Sequence, residues 1–124
     1  MPASATTVAF LAATDLDRSS RFLTDVVGLT LLERTPIADV YDAHGTRLRV
    51  TLVEQAPQLP FTVLGWEVAD LDGTVDELHA RGATFERFAG MDQDGRGIWT
   101  APGGDRVAWF RDTEGNLLSL SQHI

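Results

Sequence analysis

Apolar and polar residues follow one another in a pattern that predicts short strands and two amphipathic helices. Apolar runs over residues 8–13 and 63–68 are rich in strand-forming residues and end at polar turn residues. After each run, apolar residues recur at spacings of three, four or seven residues, as on one buried face of a helix. These positions are Leu16, Leu23, Val26 and Val27 in the first stretch and Leu71, Val75 and Leu78 in the second.

Each predicted helix has recognisable signals at both ends. The helices open with Asp-Leu-Asp turns at 15–17 and 70–72, in which either aspartate can accept a backbone N–H bond and favour the positive end of the helix dipole. Gly28 and Gly82 follow the helical stretches, where a left-handed residue ends a helix without a Cβ penalty. Two similar helices are therefore expected.

The two halves of the chain repeat one another. Residues 8–17 align with residues 63–72 at a shift of 55 positions, with the same order of elements in each half. Strands are predicted at 29–34, 40–43 and 47–54 in the first half, and at 84–88, 98–101, 106–111 and 117–122 in the second. We therefore predict one α+β domain over residues 1–124. It comprises two tandem βαβββ modules, at about 6–54 and 61–124, with residues 55–60 as the linker.

Composition narrows the range of partners. The 124 residues carry 10 Lys+Arg and 18 Asp+Glu, which gives a formal charge of -8. This balance argues against nucleic acid and anionic membranes as partners, because both attract clustered basic residues. The chain has no cysteine, and its apolar runs are too short for a signal peptide or a membrane helix. We expect a cytoplasmic protein whose ligand is neutral or cationic.

Two segments carry a family resemblance. Residues 14–29, Thr-Asp-Leu-Asp-Arg through Val-Val-Gly-Leu, and residues 110–120, Phe-Arg-Asp-Thr-Glu-Gly-Asn-Leu-Leu-Ser-Leu, resemble the opening and closing signatures of the vicinal oxygen chelate superfamily. That superfamily includes glyoxalase I, bleomycin-resistance proteins, fosfomycin-resistance enzymes and extradiol dioxygenases. The resemblance implies two βαβββ modules that form an open, incomplete β-barrel with a concave cavity, usually within a homodimer.

The resemblance also implies where a metal would bind. Enzymes of the superfamily hold a divalent metal with His, Gln or Glu residues on the first and last strands of each module. The matching positions here are Val8, Val63, Ser119 and, in the first module's last strand, Thr51, with Arg49 or Glu54 in a slipped register. Valine cannot ligate a metal, so we expect no metal site and no cofactor.

A metal could still bind to side chains outside the superfamily's usual ligand positions. The candidates are His44, His79, His123, Glu54 and Glu67. We interpret the histidines as surface residues, with His123 frayed near the end of the sequence. The segment 92–95 contains part of a calcium loop but lacks its other ligands, so we interpret it as a solvated turn.

Strand alternation predicts which side chains face the cavity. The expected ligand-binding residues are Phe10, Arg49, Thr51, Glu67, Trp99, Trp109, Arg111 and Ser119. Trp66 precedes Glu67 in the same predicted strand, so its side chain points to the opposite face and is expected in the core. Glu67 either contacts a ligand or pairs with Arg49 or Arg111.

These residues favour a metal-independent protein that binds a small organic ligand, similar to the drug-sequestering bleomycin-resistance proteins. Aromatic rings and acidic charge suit a cationic or aromatic molecule. Two enzymatic alternatives remain. One is a glyoxalase- or dioxygenase-type enzyme with a divalent metal on displaced ligands. The other is a metal-free isomerase or lyase with Glu67 as the general base, which requires that the carboxylate be buried.

Overall fold

The first half of the chain forms a four-stranded sheet with one helical segment. The computed structural model describes residues 1–124, and the chain divides into two compact units, Met1–Ala56 and Pro57–Ile124. In the first unit, β1 (Val8–Ala13) leads into α1 (Leu16–Arg21), which continues as a π-helix over Phe22–Val27. The strands β2 (Thr30–Arg34), β3 (Ala38–Asp42) and β4 (Arg47–Leu52) follow, close to their predicted positions.

The helix ends of the first unit follow the sequence signals. Asp15 is the N-cap, and its side chain accepts a hydrogen bond from the backbone N–H of Arg18 at 3.0 Å. The helical segment ends at Gly28, whose φ of 86° lies in the left-handed region. Of the two aspartates that could cap this helix, Asp15 therefore does so, which leaves Asp17 free to bind Arg34.

The strand order of the first sheet is β1-β4-β3-β2, with β1 and β4 parallel and the other pairs antiparallel. One face is apolar and buried, with Leu11, Leu48, Val50 and Tyr41 at 5% exposure or less. Asp39 is also fully buried, and it is held by the Arg34 guanidinium. A buried charge is tolerated there because its partner is charged and bidentate.

The second unit repeats this topology. Its elements are β5 (Leu64–Glu67), α2 (Leu71–Ala80), β6 (Trp99–Thr100), β7 (Arg106–Arg111) and β8 (Leu117–Gln122), with strand order β5-β8-β7-β6. Asp70 caps α2 by accepting from the N–H of Gly73 at 3.1 Å. The predicted α+β fold of two tandem βαβββ modules is confirmed. None of the helices is long and apolar enough to cross a membrane.

One predicted strand is wrong. Residues 84–88 form no strand, but a single bridge joins Phe85 to Phe110 near one end of β7. The short strand β6 pairs with the other end of β7, at Arg106 and Val107. The edge position beside β7 is therefore shared by two short pieces of chain, separated by a loop that the first module lacks.

The side chain of Gln93 holds this loop in place. Its amide accepts from the N–H of Phe88 at 2.8 Å and donates to the carbonyls of Glu86 and Gly97 at 2.9 and 2.8 Å. Next to it, Asp94 accepts from two backbone N–H groups and closes a turn, as expected for residues 92–95. These bonds satisfy backbone groups that a regular strand would otherwise pair.

Candidate functional site

One face of the second sheet places chemically distinctive residues in a row across all four strands. The register pairs Glu67 with Ser121, Ser121 with Val107, and Val107 with Trp99. Residues that pair in this way project from the same side of a sheet. Neighbouring strands are about 4.8 Å apart, so the row spans about 14 Å from β5, which carries Glu67, to β6, which carries Trp99. We call this side of the second sheet the open face.

A second row on the open face forms a floor of small residues. Gly65 pairs with Ser119, and Ser119 pairs with Trp109. A Cβ atom at Gly65 would lie 2.6 Å from the Ser119 hydroxyl oxygen and 3.1 Å from its carbonyl oxygen. A side chain at position 65 would therefore crowd Ser119, and this row offers only a glycine and a serine beside Trp109.

Aromatic side chains gather around Trp109. Its ring centroid is 6.3 Å from that of Trp99 and 5.4 Å from that of Phe88, whose ring makes a T-shaped contact with it at an interplanar angle of 87°. Both distances fall in the range of favourable aromatic pairs. Trp109 also lines a cavity of about 460 Å³ with Phe61 and Met91. This volume lies within the usual range of small-molecule sites.

The acidic end of the open face is organised by a histidine. The Nδ1 atom of His123 is 2.9 Å from the Asp105 carboxylate, and its Nε2 atom is 3.2 Å from the Glu67 carboxylate. The hydrogen bond that the His123 ring donates to Asp105, together with the negative charges of both carboxylates, raises the pKa of His123 above 6.5. In turn, His123 lowers the pKa of Asp105.

One expectation about these residues is wrong. His123 is not frayed, because both its ring nitrogens contact carboxylates and the N–H of Ile124 also reaches Asp105 at 3.3 Å. Of the two alternatives for Glu67, pairing with Arg49 or Arg111 is not found, since its carboxylate contacts His123. Arg111 instead binds Glu86 at 3.2 Å and donates to the Gly115 carbonyl at 2.9 Å.

The predicted site residues divide between the two sheets. Five of them belong to the open face or its edge: Glu67, Trp99, Trp109, Arg111 and Ser119. Trp66 pairs with Leu120 on the opposite face of the second sheet, in agreement with its parity. Phe10, Arg49 and Thr51 share one face of the first sheet, where Phe10 pairs with Arg49 and is 60% exposed. A ligand-binding role for these eight residues remains a prediction.

The positions that hold a metal in the superfamily do not fit one here. Val8 is at the start of β1, Val63 precedes β5, and Thr51 and Ser119 lie on β4 and β8. These residues offer two aliphatic side chains and two hydroxyls, a donor set unsuited to a divalent metal. Nowhere in the chain do three or more His, Asp or Glu side chains converge so that they could hold a metal ion.

Sequence reasoning missed several residues of this site. Phe61, Met91 and Asp105 were assigned to no predicted strand or helix, Phe88 to a strand that does not form, and His123 to a frayed end. The alternation of positions 105, 107, 109 and 111 with 117, 119, 121 and 123 could have shown that Asp105 and His123 share the face of Trp109.

Comparison with known proteins places the chain in a family. The chain belongs to the Glyoxalase/Bleomycin resistance protein/Dioxygenase superfamily, whose sequence profile matches residues 5–120. No curated protein sequence matches the chain.

Solved structures share the fold along nearly the whole chain. The crystal structure of TioX from Micromonospora sp. ML1 is 26% identical, covers 98% of this chain and 100% of its own, and has a TM-score of 0.74. A lactoylglutathione lyase from Agrobacterium tumefaciens is 18% identical, with 98% and 95% coverage and a TM-score of 0.73. The fosfomycin resistance protein FosX from Listeria monocytogenes is 13% identical, with 98% and 94% coverage and a TM-score of 0.75. Proteins with such different names share one scaffold, so the function has to be argued from the site.

Proposed function

We propose that the open face of the second module binds a small, flat organic cation without a metal and without chemical change, and so lowers its free concentration. The observation that carries this proposal is the joint placement of Trp99 and Trp109, the small-residue floor at Gly65 and Ser119, and the exposed carboxylate of Glu67. Apolar rings with a few placed polar groups are the usual composition of a small-molecule site.

The aromatic cluster supplies most of the expected affinity. A planar ring stacked on an indole gains about 1–3 kcal/mol, and a positive charge on that ring adds about 0.5–2 kcal/mol through its attraction to the π face. The T-shaped contact of Phe88 fixes the plane of Trp109 in advance of ligand binding. A ring that is already oriented loses less conformational freedom on binding.

Charge supports selectivity for a cation. The formal charge of -8 attracts positive ligands over long range, and the Glu67 side chain is 60% exposed at the end of the row. That exposure does not support the alternative in which Glu67 is a general base, because such a base needs burial to raise its proton affinity. The donor set at the superfamily's metal positions does not support the metal-dependent alternative either.

Calorimetric titration with 10-methylacridinium tests the proposal, with the neutral 10-methylacridone as the matched ligand. We expect the cation to bind more tightly than the neutral compound. Trp109→Ala should weaken both by about 5- to 150-fold, which corresponds to the loss of about 1–3 kcal/mol of stacking. Trp66→Phe is the control, because Trp66 lies on the other face of the sheet and its substitution should leave both affinities unchanged.

Three kinds of result would contradict the proposal. The first is a binding result: neither compound binds, or Trp66→Phe weakens binding as much as Trp109→Ala does. The second is stoichiometric metal in the purified protein, measured by elemental mass spectrometry. The third is conversion of bound 10-methylacridinium to a new species, detected by chromatography after prolonged incubation. The same titration with Phe10→Ala measures whether the face of the first sheet also contributes.

A further inference from the structure

His123 contacts the same carboxylate that would receive a ligand's positive charge. Its Nε2 atom lies 3.2 Å from Glu67, while its Nδ1 atom lies 2.9 Å from Asp105. Residues 117, 119, 121 and 123 alternate toward one side of the sheet, so the imidazole belongs to the open face. The chain thus places one of its own titratable groups on Glu67.

Only the charged form of the ring can donate to both carboxylates at once, because each carboxylate accepts and a neutral imidazole carries a single N–H. When the ring is neutral, the shorter contact, with Asp105 at 2.9 Å, keeps the proton on Nδ1, and Nε2 then carries a lone pair. A lone pair facing a carboxylate oxygen is two acceptors in contact and gives no hydrogen bond. Protonation of Nε2 therefore makes the contact with Glu67, and deprotonation releases it.

We propose that His123 is an internal cation that competes with the ligand for Glu67, so that binding of a cation is coupled to the loss of one proton from His123. The proton passes from Nε2 to solvent or buffer, and no covalent bond is made or broken other than this N–H bond. This inference rests on the proposed function, because it concerns the regulation of the same face.

The surroundings of His123 leave these two carboxylates as its charged partners. Glu67 approaches from β5 and Asp105 from the turn before β7, while the preceding residues on β8 are the uncharged Ser121 and Gln122. The nearby arginine of β7, Arg106, belongs to the other face and binds Asp72 at 2.8 Å. The raised pKa of His123 places the change in the range near and above pH 6.5.

The competition for Glu67 determines whether ligand affinity rises or falls with pH. Below the pKa of His123 the imidazolium occupies Glu67, so a permanently charged ligand has to displace it and binds weakly. Above that pKa the carboxylate is free, and binding is tight. If one proton leaves for each ligand bound, the association constant rises by up to about tenfold per pH unit on the acidic side of the pKa.

The experiment measures binding of 10-methylacridinium by calorimetry from pH 5.5 to pH 8.0. In the unaltered protein the affinity should increase with pH, and titrations in phosphate and Bis-Tris buffers, which both take up protons near pH 6, should show release of up to about one proton per ligand there. His123→Ala should bind the cation equally well across the range, and more tightly than the unaltered protein at pH 5.5. His123→Gln repeats the test with a neutral side chain that still forms hydrogen bonds.

Two controls isolate the effect. His44→Asn changes a histidine of the first unit, at a φ of 60° that asparagine tolerates, and should retain the pH dependence. The neutral 10-methylacridone should bind with the same affinity at every pH.

The outcomes separate this inference from the proposed function. Binding of 10-methylacridinium that is independent of pH in the unaltered protein, or an unchanged slope in His123→Ala and His123→Gln, would overturn the competition while the proposed function stands. Failure of both compounds to bind any of these proteins at any pH would overturn the proposed function and this inference together.

Discussion

Removing either partner of the Arg34–Asp39 ion pair is expected to destabilise the protein by different amounts. Arg34 contacts Asp39 through two nitrogens, at 2.7 and 2.8 Å, and the Tyr41 hydroxyl donates to the same carboxylate at 3.2 Å. The Asp39 side chain is fully buried, whereas the Arg34 side chain is 40% exposed and also binds Asp17 at 2.5 Å. The hydrogen bonds to Asp39 and then to Asp17 raise the pKa of Arg34.

The size of each loss of stability depends on which charged side chain remains in the variant. Arg34→Met leaves a buried carboxylate with the Tyr41 hydroxyl as its partner, and an uncompensated buried charge costs about 3–5 kcal/mol. Asp39→Leu leaves a half-exposed guanidinium that water and Asp17 still satisfy, so the expected loss is about 1–2 kcal/mol for the missing hydrogen bonds. The double variant should be more stable than Arg34→Met alone, because it removes both charges.

Urea unfolding at pH 7 measures these differences. Far-UV circular dichroism is the appropriate signal, because all three tryptophans lie in the second unit at positions 66, 99 and 109 and would not report on the first. A loss of stability in Arg34→Met that is no larger than the loss in Asp39→Leu would contradict this prediction. A further loss of stability when Asp39→Leu is added to Arg34→Met would contradict it as well.

Two further predictions concern single side chains. In an NMR titration His123 should have a pKa above 6.5, and Asp105→Asn should lower it, because the Asp105 hydrogen bond is the largest cause of the shift. A raised histidine pKa means that this contact stabilises the fold fully below about pH 6.5 and is lost as the pH rises through the folded-state pKa. The same pKa in Asp105→Asn would contradict this assignment. Separately, Ser19 has a buried hydroxyl with no hydrogen-bond partner, so Ser19→Ala should raise the free energy of unfolding by about 1 kcal/mol. A lower free energy of unfolding in Ser19→Ala would show that the hydroxyl is satisfied.

Local features of the fold were predicted well because they depend on neighbours along the chain. The caps at Asp15 and Asp70 and the helix end at Gly28 follow from hydrogen bonds that span a few residues. Strand parity is equally local, so the shared face of Trp109 and Ser119 follows from the spacing of residues within each strand. The predicted strand at 84–88 does not form, because strand pairing depends on a distant partner. Only Phe85 pairs with β7, and β6 occupies the edge of β7 at Arg106 and Val107.

By itself, the sequence determined the α+β class, the duplicated βαβββ order, the alternation of faces and the presence of valine, which cannot ligate a metal, at positions 8 and 63. These properties follow from residue type and from the fixed periods of helices and strands. The tertiary structure decided which side chains meet: His123 with Glu67 and Asp105, and Arg34 with Asp39. The physical reason is that these contacts depend on strand order and register, which distant segments set together when they pack.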